Sequence, residues 1–371
     1  MSRSNRKKPK RNWAEKLFFH SIVVGRSTSV FRNLRDSFFP ERLSEEKLKQ
    51  LRDGLCAEIL KAPGVLGKQA FALTFEHDGF SQEVARLLGY GLVTSSFVAH
   101  SAGSAIVLAP GSVSVSINDE DHLTFRFSES VPFAEQWKRV NTVAEALGQR
   151  IVYAYNPTFG YLSANPEHVG LGVQLTATFC LFGLYLMKEL DSVLYGLERL
   201  GFMISPMFVV SEQEENSLDA PGCCYRIHLA QMMGRVEDMI ERADHVYAEI
   251  ARQEEQARFR LRAERPEVLE DFVMRSVGVS TLGVQIGESE GIDMVNAMIF
   301  GLDMGVLKVP DRGLLDDLHA LLLQVTGPSI RQQVPDGDGD LLAAYRRRRA
   351  NIIRQVSSRL LPASLDRVSK K

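Results

Sequence analysis

Cysteine is scarce. Only Cys56, Cys180, Cys223 and Cys224 occur in 371 residues, and none of them form a CxxC pair. That spacing excludes the usual zinc sites and gives no disulfide framework, so a reducing cytoplasm is the expected compartment. No apolar run follows the basic start of the chain, so no secretory leader is expected. Long apolar stretches are rare as well. Residues 169–187 carry no charged side chain over 19 positions, but Gln174, Thr176 and Thr178 alternate with Val173, Leu175, Ala177 and Phe179. A period of two marks a strand with one polar face, followed by a helix from about Phe182, and not a membrane span.

The formal net charge of −2 hides an asymmetry. Residues 1–12 hold six basic side chains and no acid, residues 341–371 hold nine basic and one acidic, and residues 13–340 hold 29 basic against 45 acidic, a net of −16. The front reads as a solubilising, disordered tail and the back as a basic helix face, so no nucleic-acid partner is expected. "PDGDGD" at 335–340 begins like a calcium loop, but its twelfth position is Arg347 where the ion needs a bidentate Glu. It reads as a linker, and no metal site is expected.

Along the chain, strands are expected near 21–24, 70–74, 92–97, 104–108, 112–117, 151–155, 173–179, 202–210 and 224–230. Helices are expected at 44–61, 132–147, 184–200 and 235–263, and beyond Pro266 at 267–277, 289–300, 312–325 and 341–361. The second half of 235–263, "RQEEQARFRLRAER", is charged enough to be read as largely solvated. The expected fold is α+β, an antiparallel sheet flanked by helices plus an all-helical C-terminal domain. The expected organisation is a basic tail over 1–14, an α+β domain over 15–260 and a helical dimerisation or regulatory domain over 261–371.

"VSVSINDEDHLTFRF" (113–127) reads as strand, acidic turn, strand. Taken alone, Asn118–His122 is ordinary hairpin chemistry, since Asn and Asp favour turns. Together with "GYLSANPEHVGLGVQ" (160–174) and "GRSTSVFRNL" (25–34), the chain resembles the ATP:guanidino phosphotransferases, and within them the bacterial protein-arginine kinases. Their motifs run N-E-E-D-H-hydrophobic-Arg, G-Y-L-x-x-C-P-T-N-x-G-T-x-x-R and S-S-R-x-R-x-x-R-N-L. "LEDFVMRSVG", "GLDMGVL" and "RRANIIR" extend the resemblance, in order, over about residues 20–360.

The resemblance implies a site in which arginines grip nucleotide phosphates and carboxylates act on a guanidinium. Phosphoryl transfer asks the protein mainly for positioning and charge neutralisation, and the planar arginine fork suits phosphate oxygens. The turn carboxylate is kept as Glu120. The five arginine positions are Ser27, Ser29, Thr124, Gln174 and Ser205, the reactive cysteine position is Asn165, and a structural third front arginine remains as Arg32. The second acid falls at Glu212, Glu214 or Glu215. Arg126, two residues beyond Thr124 on the same strand face, is the candidate compensating cation, whereas Arg26 points to the opposite face. In the last helical region an Arg-Asp sensor pair is replaced by Tyr345 and Arg346. Arg346, Arg347, Arg348 and Arg349 then offer either an anion-binding surface or a solvated turn, with Leu342, Ile352, Ile353, Val356 and Leu360 packing inward.

The resemblance therefore implies a catalytically impaired homologue needing no cofactor. It would be a homodimer working with a protein-arginine kinase, its activator or protease-chaperone partners. The alternative is a divergent enzyme using Mg·ATP, Glu120 and Arg126.

Overall fold

The computed structural model describes residues 22–362, apart from 62–65, 68, 80, 90, 110–112, 130, 211–219, 309–312, 332 and 335–339. The basic tail, most of "PDGDGD", and Glu212, Glu214 and Glu215 lie outside the described residues.

Eight strands form one antiparallel sheet in the order β2-β3-β4-β5-β1-β8-β10-β9. They are β1 (Val23–Arg32), β2 (Phe71–Thr74), β3 (Ala105–Leu108), β4 (Ser114–Ile117), β5 (Leu123–Ser128), β8 (Val173–Cys180), β9 (Met203–Pro206) and β10 (Cys224–Ala230). A two-residue pair, β6 (Tyr155–Asn156) and β7 (Gly160–Tyr161), stands apart from them. Alternation along each strand sorts the two faces. Val30, Phe125, Phe127, Val173, Leu175, Ala177, Phe179, Ile227 and Leu229 are almost wholly buried in the main core. Helices cover that face, and two of them bond to it through side chains. α4 (Phe133–Gly148) takes a hydrogen bond from Thr28 Oγ1 to Gln136 Oε1 at 3.1 Å, and Tyr247 Oη of α7 (Val236–Glu264) donates to the carbonyls of Leu175 and Ile227.

The other face is polar in the middle and apolar at one edge. Ile106 of β3 packs there with Val84, Leu87, Val93, Phe97 and Val98 in a second, smaller cluster. This cluster belongs to a flap of two short helices, α2 (Gln82–Gly89) and α3 (Ser95–Ala99), laid over the β2-β3 edge. Residues 92–97, expected as strand, are instead a turn running into α3. Thr94 caps the helix by accepting from Ser96 N at 3.2 Å, and Val93, just before the cap, joins Phe97 and Val98 of the helix in the second cluster.

Three other expectations need correction. The helix over 184–200 is two helices, α5 (Phe182–Leu186) and α6 (Leu190–Arg199), divided at Lys188 with φ of 61°. The strand over 202–210 is confined to β9. The charged second half of α7 is not solvated all round, because Glu254, Ala257, Arg258 and Leu261 are buried. Glu254 accepts from the free N–H groups at the start of α5, Gly183 N at 2.8 Å and Leu184 N at 2.9 Å, and from Arg258 Nε at 2.6 Å. An orphaned helix N-terminus with its partial positive charge is met by a carboxylate, which in turn is met by a guanidinium.

Beyond Pro266 the chain is helical: α8 (Pro266–Leu282), α9 (Glu288–Asp303), α10 (Gly313–Gln324), α11 (Gly327–Arg331) and α12 (Leu341–Ser357), with a short strand pair, β11 (Leu307–Lys308) and β12 (Leu361–Pro362). α9 docks on the turn before β10, where Asn296 Nδ2 donates to Gly222 O at 3.3 Å. Leu342, expected inside, is exposed. Arg349, expected on an anion-binding surface, is fully buried and donates to Val325 O at 2.7 Å and Ile286 O at 2.9 Å. A helix of this length presents its fourth successive arginine to the core side, so the run cannot be a single charged face. Arg346 is partly buried and Arg348 is tied to Gln333, which leaves Arg347 as the exposed member with no hydrogen bond or ion pair to a described residue. All four cysteines are buried free thiols. Among the described residues no helix is long and apolar enough to cross a membrane.

Replacing Glu254 by Ala leaves Arg258 buried beside an unsatisfied helix start, and is expected to cost about 3–5 kcal/mol. Urea unfolding measures it. The double replacement of Glu254 and Arg258 by Met should cost clearly less than the single change, and equal losses would refute the pairing argument.

Candidate functional site

The five positions implied by the resemblance lie on one surface, the polar face of the sheet. Ser29 of β1 sits opposite Arg126 of β5 on one side and Gln174 of β8 on the other. Ser27 faces Ser128 and Thr176, Thr124 faces Phe31 and Ser116, and Ser205 of β9 faces Arg226 of β10. Arg26 turns to the helix-covered face, over the Phe133 ring and 3.8 Å from Asp244.

Three of the five neutral residues are hydrogen-bonded within that face. Arg126 Nε donates to Ser29 Oγ at 3.0 Å. Gln174 Nε2 donates to His168 Nε2 at 3.2 Å, and the imidazole stacks on Phe31 with ring centroids 3.7 Å apart. His228 lies between two hydroxyls, Ser205 Oγ at 2.9 Å from Nε2 and Thr176 Oγ1 at 3.0 Å from Nδ1. A neutral imidazole has one donor and one acceptor, which two hydroxyls match. Burial first, then nearby arginines, pushes both histidines down to about 4, so both are uncharged at neutral pH. The 3.9 Å approach of His168 Nδ1 to Glu120 Oε2 is therefore not an ion pair at that pH.

The flap closes over this surface. The carbonyl of Gly91, at its tip, accepts from Arg126 Nη1. A side chain at Gly91 would start 3.1 Å from Arg226 Nη2, and φ there is +67°, so the backbone calls for glycine. Thr94, at the far end of the tip, donates from its backbone N and its hydroxyl to Asp119.

The acidic turn is mostly framework. Asn118, at φ of 51°, donates to Leu48 O at 2.9 Å and Gly103 O at 2.8 Å. Asp119 holds the flap. Asp121 accepts from Ser163 Oγ and Ala164 N, each at 2.8 Å, and from Asn33 Nδ2. Asn33 Oδ1 accepts from His122 N at 3.0 Å and His122 Nδ1 at 2.7 Å. Only Glu120 faces outward, hydrogen-bonded to Asn165. Burial and the neighbouring Asp121 raise its carboxyl to about 7. Arg32 is structural too. Its guanidinium lies 3.4 Å from the Tyr161 ring centroid and donates to Phe31 O at 2.7 Å.

Residues 78–257 match the sequence model of the ATP:guanido phosphotransferase C-terminal catalytic domain. The protein-arginine kinase of Clostridium novyi (strain NT) is 24% identical over 314 residues, 84% of this chain and 88% of that one. The protein-arginine kinase of Bacillus subtilis (strain 168) is 27% identical over 322 residues, 85% of each. Over residues 78–257, a little under half of its length, the chain is similar to the ATP:guanido phosphotransferase family. Among solved structures, the substrate-free duplicated taurocyamine kinase from Schistosoma mansoni superposes with a TM-score of 0.49 and 12% identity over 76% of this chain and 42% of that one.

Within this fold, sequence reasoning missed His168, His228, Arg226 and the flap tip. Arg226 and His228 carried a signal, since they alternate with the core residues Ile227 and Leu229 on β10. Their partners on β8 and β9 are set by pairing across the sheet, which one strand cannot display. Among the described residues no cluster of His, Cys, Asp and Glu is arranged to hold a metal.

The raised Glu120 carboxyl gives a signed pH dependence. The folded state binds this proton up to about pH 7 and the unfolded chain only to the ordinary carboxyl range. Relative to Glu120→Gln, the native protein should lose stability as pH rises from about 4.5 to about 7, and then level off. Melting temperatures of the two proteins across pH 4–9 test this. A difference independent of pH would overturn it.

Proposed function

We propose that this guanido phosphotransferase homologue is impaired or inactive in phosphoryl transfer and acts as a regulatory interaction protein. Its partner would be a protein-arginine kinase or the stress-proteolysis machinery around one, and it would work as a cytoplasmic homodimer joined through the helical C-terminal part. One observation carries the reading. All five positions where the resemblance implies phosphate-gripping arginines are neutral, they share one sheet face, and three of them are hydrogen-bonded to their neighbours on it. Loss of a single donor to transition-state charge commonly costs roughly 100- to 1,000-fold in rate, and such losses act together without simply adding. Arg126 does not make good the deficit, because one relocated guanidinium, tied in part to Ser29 and Gly91, cannot replace a basket of five. The net −16 over residues 13–340 also disfavours a polyanionic nucleotide.

A second reading has its own observation. Glu120, held near 7 beside Asn165, has the proton affinity of a general base at neutral pH. A divergent protein-arginine phosphotransferase would use it with Mg·ATP.

Titrating Mg·ATP into the purified protein, with heat and melting temperature followed, is expected to show no micromolar binding. A model arginine substrate is expected to yield no phosphoarginine. Micromolar binding together with phosphoarginine that vanishes in Glu120→Gln would replace the first reading by the second.

A further inference from the structure

Two arginines outside the five expected positions converge under the flap tip, and their charge is not balanced by protein. Arg126 reaches up from β5 to the Gly91 carbonyl. Arg226 leans across from β10 until its Nη2 lies 3.1 Å from where a Gly91 side chain would begin. Strands β5 and β10 are separated by β1 and β8, so their backbones are about 14 Å apart, and the guanidinia meet only because both side chains are extended toward one point. Arg126 has two acceptors. Arg226 makes no hydrogen bond or ion pair with any described residue. A guanidinium taken partly out of water with five unused donors is costly, and an acceptor there would be strongly favoured.

The surroundings carry the same sign. The carboxylate acting on Arg126 is Asp119, but both its oxygens are taken by Thr94 and burial favours its neutral form. No carboxylate acts on Arg226, and each arginine lowers the affinity of the neighbouring sites for protons: Arg226 acts on Arg126, Arg126 on His168, and both on His228. In a body of strongly negative net charge, this is a local positive spot.

We propose that Arg226 and Arg126, with the Gly91 tip as roof, hold a small tetrahedral oxyanion, phosphate or sulfate, which fastens the flap to the sheet. This deepens the reading above by naming what the altered face takes. The site differs from a nucleotide clamp in its residues, since the five clamp positions contribute none of its cations. The flap tip also stands over it, since the Gly91 carbonyl accepts from Arg126 and Gly91 lies close to the Arg226 guanidinium. Arginine is suited to the task, its fork engaging two oxygens at once.

The test uses the full-length protein in a buffer free of phosphate and sulfate, with melting temperature followed against inorganic phosphate, sulfate and ATP. Phosphate is expected to raise the native melting temperature by about 3 °C near saturation. Arg226→Gln should show no such rise and should melt at or above the native protein in the absence of oxyanion, because an uncompensated charge has been removed. Phosphate should also slow proteolysis within the flap of the native protein and not of the variant. A native protein indifferent to both ions, or an Arg226→Gln variant that responds as the native one does, overturns the site and leaves the loss of phosphotransfer untouched. Stabilisation by ATP at lower concentration than by phosphate overturns the enclosure and the loss of nucleotide binding together.

Discussion

The position of β1 between β5 and β8 sets everything else in the molecule. Its register puts Thr28 and Val30 against α4 and the core, and puts Ser27, Ser29 and Phe31 on the opposite face. A slip of one residue would exchange the two sets and bury the hydroxyls while exposing the apolar side chains, so burial itself enforces the pairing. The same register brings Ser29 between Arg126 and Gln174, and Phe31 under His168. The end of β1 is then tied to the acidic turn through Asn33, which bonds both Asp121 and His122. A hydrophobic constraint on one face therefore fixes the placement of polar groups on the other.

That coupling explains why the turn "NDEDH" looks catalytic and is largely structural. A bend of five residues at the end of a hairpin has several backbone groups to satisfy, and Asn and Asp side chains do this at short range. Here they do more, joining the turn to α1 (Glu45–Leu60) through Leu48, to the flap through Thr94 and to the 163–164 loop. Glu120 is left outside the network. Its raised proton affinity follows from burial and, after that, from the two acids beside it, and needs no evolved catalytic purpose to exist. Carboxyl affinity alone therefore cannot decide between the two functional readings, and the state of the cations must.

Much of the sheet was legible from alternation. β4, β5, β8 and β10 fall where a period of two placed them, and the polar stripe of β8 was correctly read as a strand face and not as part of a membrane span. Reading failed where one-dimensional pattern is ambiguous. "LVTSSF" is short, apolar and rich in β-branched residues, yet Thr94 caps a helix there and the second cluster rewards helical spacing. It failed again where charge was taken as a marker of solvent. Glu254 with Arg258 and the buried Arg349 are charged groups turned inward because backbone ends of neighbouring helices need them. The candidate site was half visible: motif order named five positions that prove to share one sheet face, whereas the partners that bond to three of them come from elements that motif order does not display.

Replacing an arginine in a shared site leaves a problem that depends on what remains. Where the neighbours are also cations, removing one relieves repulsion, and a small polar residue can bond whatever is nearby. On the proposed reading Ser29, Gln174 and Ser205 would follow this pattern, bonded as they are to Arg126, His168 and His228. Both histidines are uncharged at neutral pH, so the middle of the face is a neutral lattice of hydroxyl, amide and imidazole groups that stands without a ligand. Arg226 breaks the pattern. It is the one arginine on the face with no protein acceptor among the described residues, and its guanidinium lies close to Gly91 at the flap tip. A surface that had merely lost its ligand would have no use for that charge in that place. On the proposed reading, its place under the flap tip is what a bound oxyanion would use.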